Sequence, residues 1–231
     1  MMRLLSGIGV LGILFLCVSE GLAQPASTSD SVYGFDPLLY NGRQYTYLLP
    51  RNAEGSPYYY ADFTTGALVI RNTLYQELNL NLDIYNQLLL IKYLNHEGAT
   101  MIMEIPDAWL SYAKIGTDKF ESVTRSDGKH VFCQFVGDRV KIRNYFRKDL
   151  KLENSSTSPV YMFSKPLREQ YVVIDNRQVP FRNNRTFAKA FDASLQININ
   201  NYLKNNKLKV SKAAMPELVA LTDFCQKLLQ P

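Results

Sequence analysis

From Gly34 onward, apolar and polar positions alternate along the chain, and turn-forming residues interrupt them at roughly 8–12-residue spacing. This pattern predicts antiparallel β structure. Its clearest instance is Glu77–Tyr85, where Leu78, Leu80, Leu82 and Ile84 fall on one side and Asn79, Asn81 and Asp83 on the other. Period two predicts one buried and one solvated face. Leu88–Leu94 is a continuous apolar run, as expected of a strand covered on both faces. Asn95-His96-Glu97-Gly98 turns the chain into a third strand, Ala99–Ile105, completing a meander. Further strands are expected at Arg43–Leu49, Pro57–Phe63 and Ala67–Arg71. Gly137-Asp138 suits a two-residue type II′ hairpin, which would set Phe135 opposite Val140 and Cys133 opposite Ile142 on an apolar face. A second hairpin is expected at Asp175-Asn176.

Beyond Phe181 the period lengthens toward 3.6. Thr186–Phe191 reads as a short helix. Ser194 reads as the cap of a second, with Leu195, Ile199, Tyr202 and Leu203 on one face, although Leu195–Ile199 also alternates as a strand would. Pro216 fits the first turn of a third helix striped by Leu218, Leu221, Cys225 and Leu228. The expected fold is α+β: a mainly antiparallel β meander, as a sandwich or partly closed roll, with a C-terminal segment of two to three helices. The expected division is a signal peptide at 1–23, a flexible leader at 24–32, a β-rich domain at 33–180, and a helical segment at 181–231 docked on it.

The signal peptide rests on Arg3, the apolar run Leu4–Val18 and the small-x-small site Gly21-Leu22-Ala23. The run has 15 residues, short of the about 20 that a spanning helix needs. Leu16 rather than a small residue precedes Cys17, which argues against lipidation. The chain is therefore expected to be exported, periplasmic or secreted, after cleavage near Ala23, with no transmembrane span left. Export permits a disulfide between Cys133 and Cys225. Two cysteines 92 residues apart make no framework, and they read first as buried apolar residues.

Motifs for catalysis are not legible. His96 and His130 lie outside any H-E-x-x-H pair, and neither a G-x-S-x-G elbow nor a phosphate-binding glycine loop occurs. No catalytic, cofactor-binding or metal residue is expected, and no cofactor. His130 and Cys133 are three apart, which on a strand places them on opposite faces. The formal charge of +5 concentrates in two runs. Arg139, Lys141, Arg143, Arg147, Lys148 and Lys151 form one; Lys204, Lys207, Lys209 and Lys212 form the other. Arg139, Lys141 and Arg143 are the candidate surface for an anionic partner. Export makes nucleic acid a poor choice and favours an anionic envelope component or another envelope protein. Tyrosines concentrate between Tyr33 and Tyr93, including Tyr58-Tyr59-Tyr60, where an exposed platform competes with ordinary strand packing. Asn154 and Asn184 begin N-x-[ST] triplets.

Three stretches carry a likeness: Tyr33–Gly42 (YGFDPLLYNG), Gly55–Tyr59 (GSPYY) and Leu80–Leu88 (LNLDIYNQL), joined by Tyr202–Lys207 (YLKNNK) before the last helix. On these the chain resembles uncharacterised exported proteins of Bacteroidota-type bacteria. The resemblance implies a periplasmic or secreted setting and a β-then-α layout, and it brings no activity. The functional expectation is a non-enzymatic binding or structural module of the cell envelope. The alternatives are a carrier of an apolar ligand such as lipid, lined by Leu78–Met103, and a hydrolase with scattered carboxylates.

Overall fold

The computed structural model describes residues 43–46, 50, 53–95, 97–125, 127–154 and 159–229. The expected signal peptide and leader, the end of the Arg43–Leu49 strand, His96 and the hydroxyl residues of the Asn154 triplet lie outside them. The strands are β1 (Ala53–Glu54), β2 (Thr64–Ile70), β3 (Thr73–Asp83), β4 (Leu88–Leu94), β5 (Thr100–Glu104), β6 (Leu110–Ile115), β7 (Asp118–Thr124), β8 (His130–Val136), β9 (Val140–Arg147), β10 (Leu150–Asn154), β11 (Pro159–Phe163), β12 (Leu167–Ile174) and β13 (Arg177–Phe181). The helices are α1 (Asn184–Ala188), α2 (Ala193–Asn205) and α3 (Met215–Leu228). Ten strands form one antiparallel sheet in the order β13-β12-β9-β8-β7-β6-β2-β3-β4-β5, and β1, β11 and β10 form a small second sheet. The fold is α+β and mainly antiparallel. No helix among the described residues is long and apolar enough to cross a membrane.

Local chemistry sets the hairpins. Arg71-Asn72 and Asp175-Asn176 each hold two successive positive φ angles, as type I′ turns require. The second is the hairpin expected at Asp175-Asn176, with Ile174 opposite Arg177. Gly66 sits at an irregularity between β2 and β3, where an added Cβ would lie 2.2 Å from the Lys114 carbonyl oxygen. Such irregularities bend a sheet. The sheet curls until the β3–β4 turn reaches β8 and β9, and there Gln87 fastens it. Its Nε2 donates to the carbonyls of Ile84 and Phe146 at 2.8 and 2.9 Å, and its Oε1 accepts the Phe132 N–H at 3.0 Å. The roll does not close into a barrel.

The roll's interior is filled by Leu68, Leu80, Leu82, Leu89, Ile91, Ile115 and Phe120, each essentially without solvent exposure. The Leu78–Met103 region therefore builds a packed core. Leu89, Leu90 and Ile91 are all buried, so β4 is covered on both faces as its apolar run implied. In β3, however, Asn81 and Asp83 are fully buried rather than wet. The chain before β2 covers them. Tyr60 donates and accepts backbone hydrogen bonds with the Asn81 side chain, and Tyr45 Oη donates to Asp83 Oδ2 at 2.7 Å. Lys148 Nζ clamps the same stretch by donating to the Ser56 and Tyr58 carbonyls, both at 2.8 Å.

On β8, β9 and β12 the even-numbered residues face inward. A row of buried amides, Gln134, Asn144 and Gln170, crosses these strands in register and is joined by 2.9 Å hydrogen bonds. On one side of that row lies the roll. On the other, Val136, Val140, Ile142, Val172 and Ile174 receive the helices through Phe187, Ile199, Leu203, Leu218, Leu221 and Cys225. α2 is a helix throughout, so the competing strand at Leu195–Ile199 is not formed, and Asp192 rather than Ser194 is its N-cap. α3 carries Pro216 in its first turn, as expected.

Candidate functional site

The β8–β9 hairpin decides where the first basic run points. Val136 pairs with Ile142, Phe135 with Arg143 and Cys133 with Tyr145. This register differs by three residues from the one expected of a two-residue turn at Gly137-Asp138, and an odd shift exchanges faces. Gly137, at φ +85°, could not carry a Cβ there without meeting the Val140 carbonyl oxygen at 2.1 Å. Cys133 and Phe135 thus join Lys141, Arg143 and Tyr145 on the outer face, and Val136 takes the inner place beside Val140 and Ile142.

On that outer face Lys141 Nζ and Arg143 Nε lie 2.9 and 2.7 Å from the two oxygens of Glu121, reaching over β8 from β9 to β7. The side chains are 22, 19 and 15 % exposed, so the triplet is largely enclosed. Arg143 Nη1 also donates to Gln178, and Lys141 Nζ stands 4.6 Å from the centre of the Phe135 ring. Cys133 is small enough for this bridge to pass above it. Burial pushes its thiol up to about 11, with the neighbouring Arg143 opposing the shift. Arg139 points elsewhere. It pairs with Asp175 at 3.4 Å and donates to the Leu229 carbonyl, tying the hairpin to α3. Arg147 pairs with Asp149 and Glu169, and Lys148 is turned inward as described. The ridge is a neutralised network more than a free cationic surface.

The second basic run behaves differently. Residues 182–229 hold eight Lys and Arg against three Asp and Glu, a net of +5. That equals the formal charge of the whole chain, so the 181 residues before it sum to zero. Lys204, Lys207, Lys209 and Lys212 are exposed and make no ion pair among the described residues, as are Arg182, Arg185 and Lys189. Asn184 brings the two groups together: its Nδ2 donates to the Leu208 carbonyl at 2.6 Å and its Oδ1 accepts the Val210 N–H at 2.9 Å. Arg185 and Lys209 are chain neighbours of these bonded residues. Arg168 of β12 donates to the Ser211 carbonyl, adding a further guanidinium to this border. The second run was visible in sequence. Arg182, Arg185 and Lys189 were missed because they form no run, and only a charge sum over the segment would have found them.

Other candidates resolve into structure. His130 Nδ1 lies 3.2 Å from Asp107 Oδ2, which also accepts the Ser122 hydroxyl at 3.1 Å. The carboxylate, not the imidazole, accepts the serine hydroxyl, so the three groups do not form a serine–histidine nucleophile pair. Pro57–Phe63 does not form the expected strand. Tyr59 turns in against Phe120 and Phe146, and Tyr60 Oη donates to Asp118 at 2.6 Å, so these two plug the roll, while Tyr58 packs on Tyr45 and Phe63; the triplet forms no platform. The Asn184 amide is spent on the bonds above and is poorly placed for glycosylation. Cys133 and Cys225 are both free and buried, the second with its thiol pushed up to about 12 by burial. No group of three or more His, Cys, Asp or Glu side chains that could hold a metal ion occurs among the described residues. Comparison with protein-family models, curated proteins and solved structures finds no match for this chain.

Proposed function

We propose that this chain is an exported, non-enzymatic module of the cell envelope that adheres to an anionic lipid surface through its helical layer. The observation that carries the reading is the charge division: residues 1–181 sum to zero, and the helical layer holds a net +5, its basic side chains exposed and making no ion pair among the described residues. The chemistry of those cations favours a diffuse partner. Lysine is a hydrated point charge on a flexible stem, suited to an anionic surface more than to bidentate recognition of one group. Near an anionic membrane each basic residue contributes about 1 kcal/mol. Export is supported by the leader sequence at 1–23 and by the resemblance carried by YGFDPLLYNG and LNLDIYNQL.

The test is co-sedimentation with phosphatidylglycerol vesicles. Binding is expected to weaken steeply with salt, because screening shortens with ionic strength. The K204E/K207E/K209E/K212E variant is expected to lose at least about a hundredfold in affinity. Equal binding to phosphatidylcholine vesicles, or binding that survives the reversal, contradicts the reading. Export has its own test. Native protein is expected to begin near Gln24, and an intact leader on native material would overturn that part.

A further inference from the structure

The face of α2 that looks toward α3 is unusual for a surface helix. Asn198, Asn201, Tyr202 and Asn205 fall at helical spacing and line a cleft of about 330 Å3 with Phe224 and Leu228 of α3. Tyr202 and Phe224 of this lining stack on each other at 4.2 Å between ring centres and 19° between planes. Asn206 closes one end and is itself fixed, its Nδ2 donating to the Tyr202 carbonyl at 2.9 Å. The amides of Asn198, Asn201 and Asn205 are exposed and make no hydrogen bond among the described residues.

Asparagine is among the poorer helix formers, because its amide competes for the backbone in non-helical conformations. Here it gives the fold nothing in return: these three side chains neither cap the helix nor pack in the core. Helix-forming residues at the same exposed positions would make a more stable protein. Departures of this kind from local propensity are expected at functional or strained sites.

We infer that the α2–α3 cleft is a binding site for a neutral oligosaccharide. No charged side chain lines it, so it does not select an ion. Three free amides offer donors and acceptors side by side, which matches the hydroxyl and acetamido groups around a sugar ring. Tyr202, Phe224 and Leu228 supply apolar contact for the ring's C–H groups. The site is an open groove of about 330 Å3 rather than an enclosing pocket, which suits a chain lying along the surface. The cleft adjoins the cationic run, since Lys204 and Lys207 flank Asn205 and Asn206 in the chain, but neither lysine lines it.

The experiment titrates full-length mature protein with two neutral probes, the N-acetylglucosamine tetramer and maltohexaose, followed by the side-chain amide signals of asparagine in 15N NMR. At least one probe is expected to shift Asn198, Asn201 and Asn205 at concentrations below about 10 mM, the range of weak specific binding. The N198A/N201A/N205A variant is expected to melt a few degrees higher than the parent. It is also expected to bind at least about tenfold more weakly. Single variants N198A and N201A give the same reading in smaller steps should the triple one misfold. The inference is overturned if neither sugar shifts these amides, if the triple variant binds as the parent does, or if a capped Ser-Gly octapeptide shifts the same signals as strongly, which would make the cleft a peptide site.

Discussion

On the outer sheet face Lys141 and Arg143 close on Glu121, whereas the lysines of the helical layer meet no acid among the described residues. Both regions read as basic runs in the sequence. The difference lies in what the fold places beside them. In a sheet, residues far apart in the chain stand in register within side-chain reach, so a basic strand is paired by whatever a neighbouring strand carries. Here β7 supplies Glu121, and the small Cys133 between them leaves room for the bridge. The loop from α2 to α3 has few such neighbours. It is held by backbone contacts to Asn184 and Arg168 and brings no carboxylate with it. The count of basic residues in a window therefore says little about free charge until the neighbours are known.

The largest effect that can break this comparison is loss of the layer itself. Phe187 is fully buried and packs between Phe181 and Phe191, at 5.2 and 5.4 Å between ring centres. Phe187→Ala is expected to cost about 3–5 kcal/mol by chemical denaturation, as large-to-small core changes do. The two thiols report which region yields. Cys225 lies in the helical core and Cys133 beneath the ridge, so in this variant Cys225 is expected to react with a thiol reagent before Cys133. Equal labelling would mean that the two regions unfold as one.

Glu121→Gln acts on the other side. It leaves two enclosed cations without their anion and is expected to lower stability by about 2 kcal/mol. It is also expected to raise vesicle binding by the ridge, which would sharpen the claim that pairing is what silences Lys141 and Arg143. Unchanged stability and binding would show that the pair contributes nothing.

The smallest effect is alkaline. Both thiols are raised above the ordinary 9.0, to about 11 for Cys133 and about 12 for Cys225, because burial penalises the thiolate. Above pH 9 the unfolded chain ionises its thiols and the folded chain does not. Their contribution is complete below pH 9 and is lost as pH rises toward 11–12. Cys225→Ala and Cys133→Ala variants are expected to show a shallower alkaline loss, with no change in slope near pH 7.

Much of the architecture was legible in the chain. The β4 run, the Asp175-Asn176 hairpin and the α3 stripe with Pro216 each carry their signal within a few residues, and each formed. What was not legible depended on distant partners. Asn81 and Asp83 alternate with leucines as solvated residues would, and only the arrival of Tyr45 and Tyr60 from earlier in the chain buries them. The Gly137 hairpin offers a plausible two-residue turn, yet the inward demand of Val136, Val140 and Ile142 beneath α3 fixes another register. The candidate surface followed the same rule. The lysine run at 204–212 was visible, but its freedom from acids and its border with α1 required the Asn184 hydrogen bonds.

The decisive measurement is a salt titration of phosphatidylglycerol-vesicle binding by the parent, the K204E/K207E/K209E/K212E variant and an R139E/K141E/R143E variant side by side. The account predicts steep salt dependence for the parent and near abolition by the lysine reversals. The ridge reversals, in a protein that still folds, should leave most of the affinity in place. Loss of binding with the ridge reversals and its retention with the lysine reversals would contradict it.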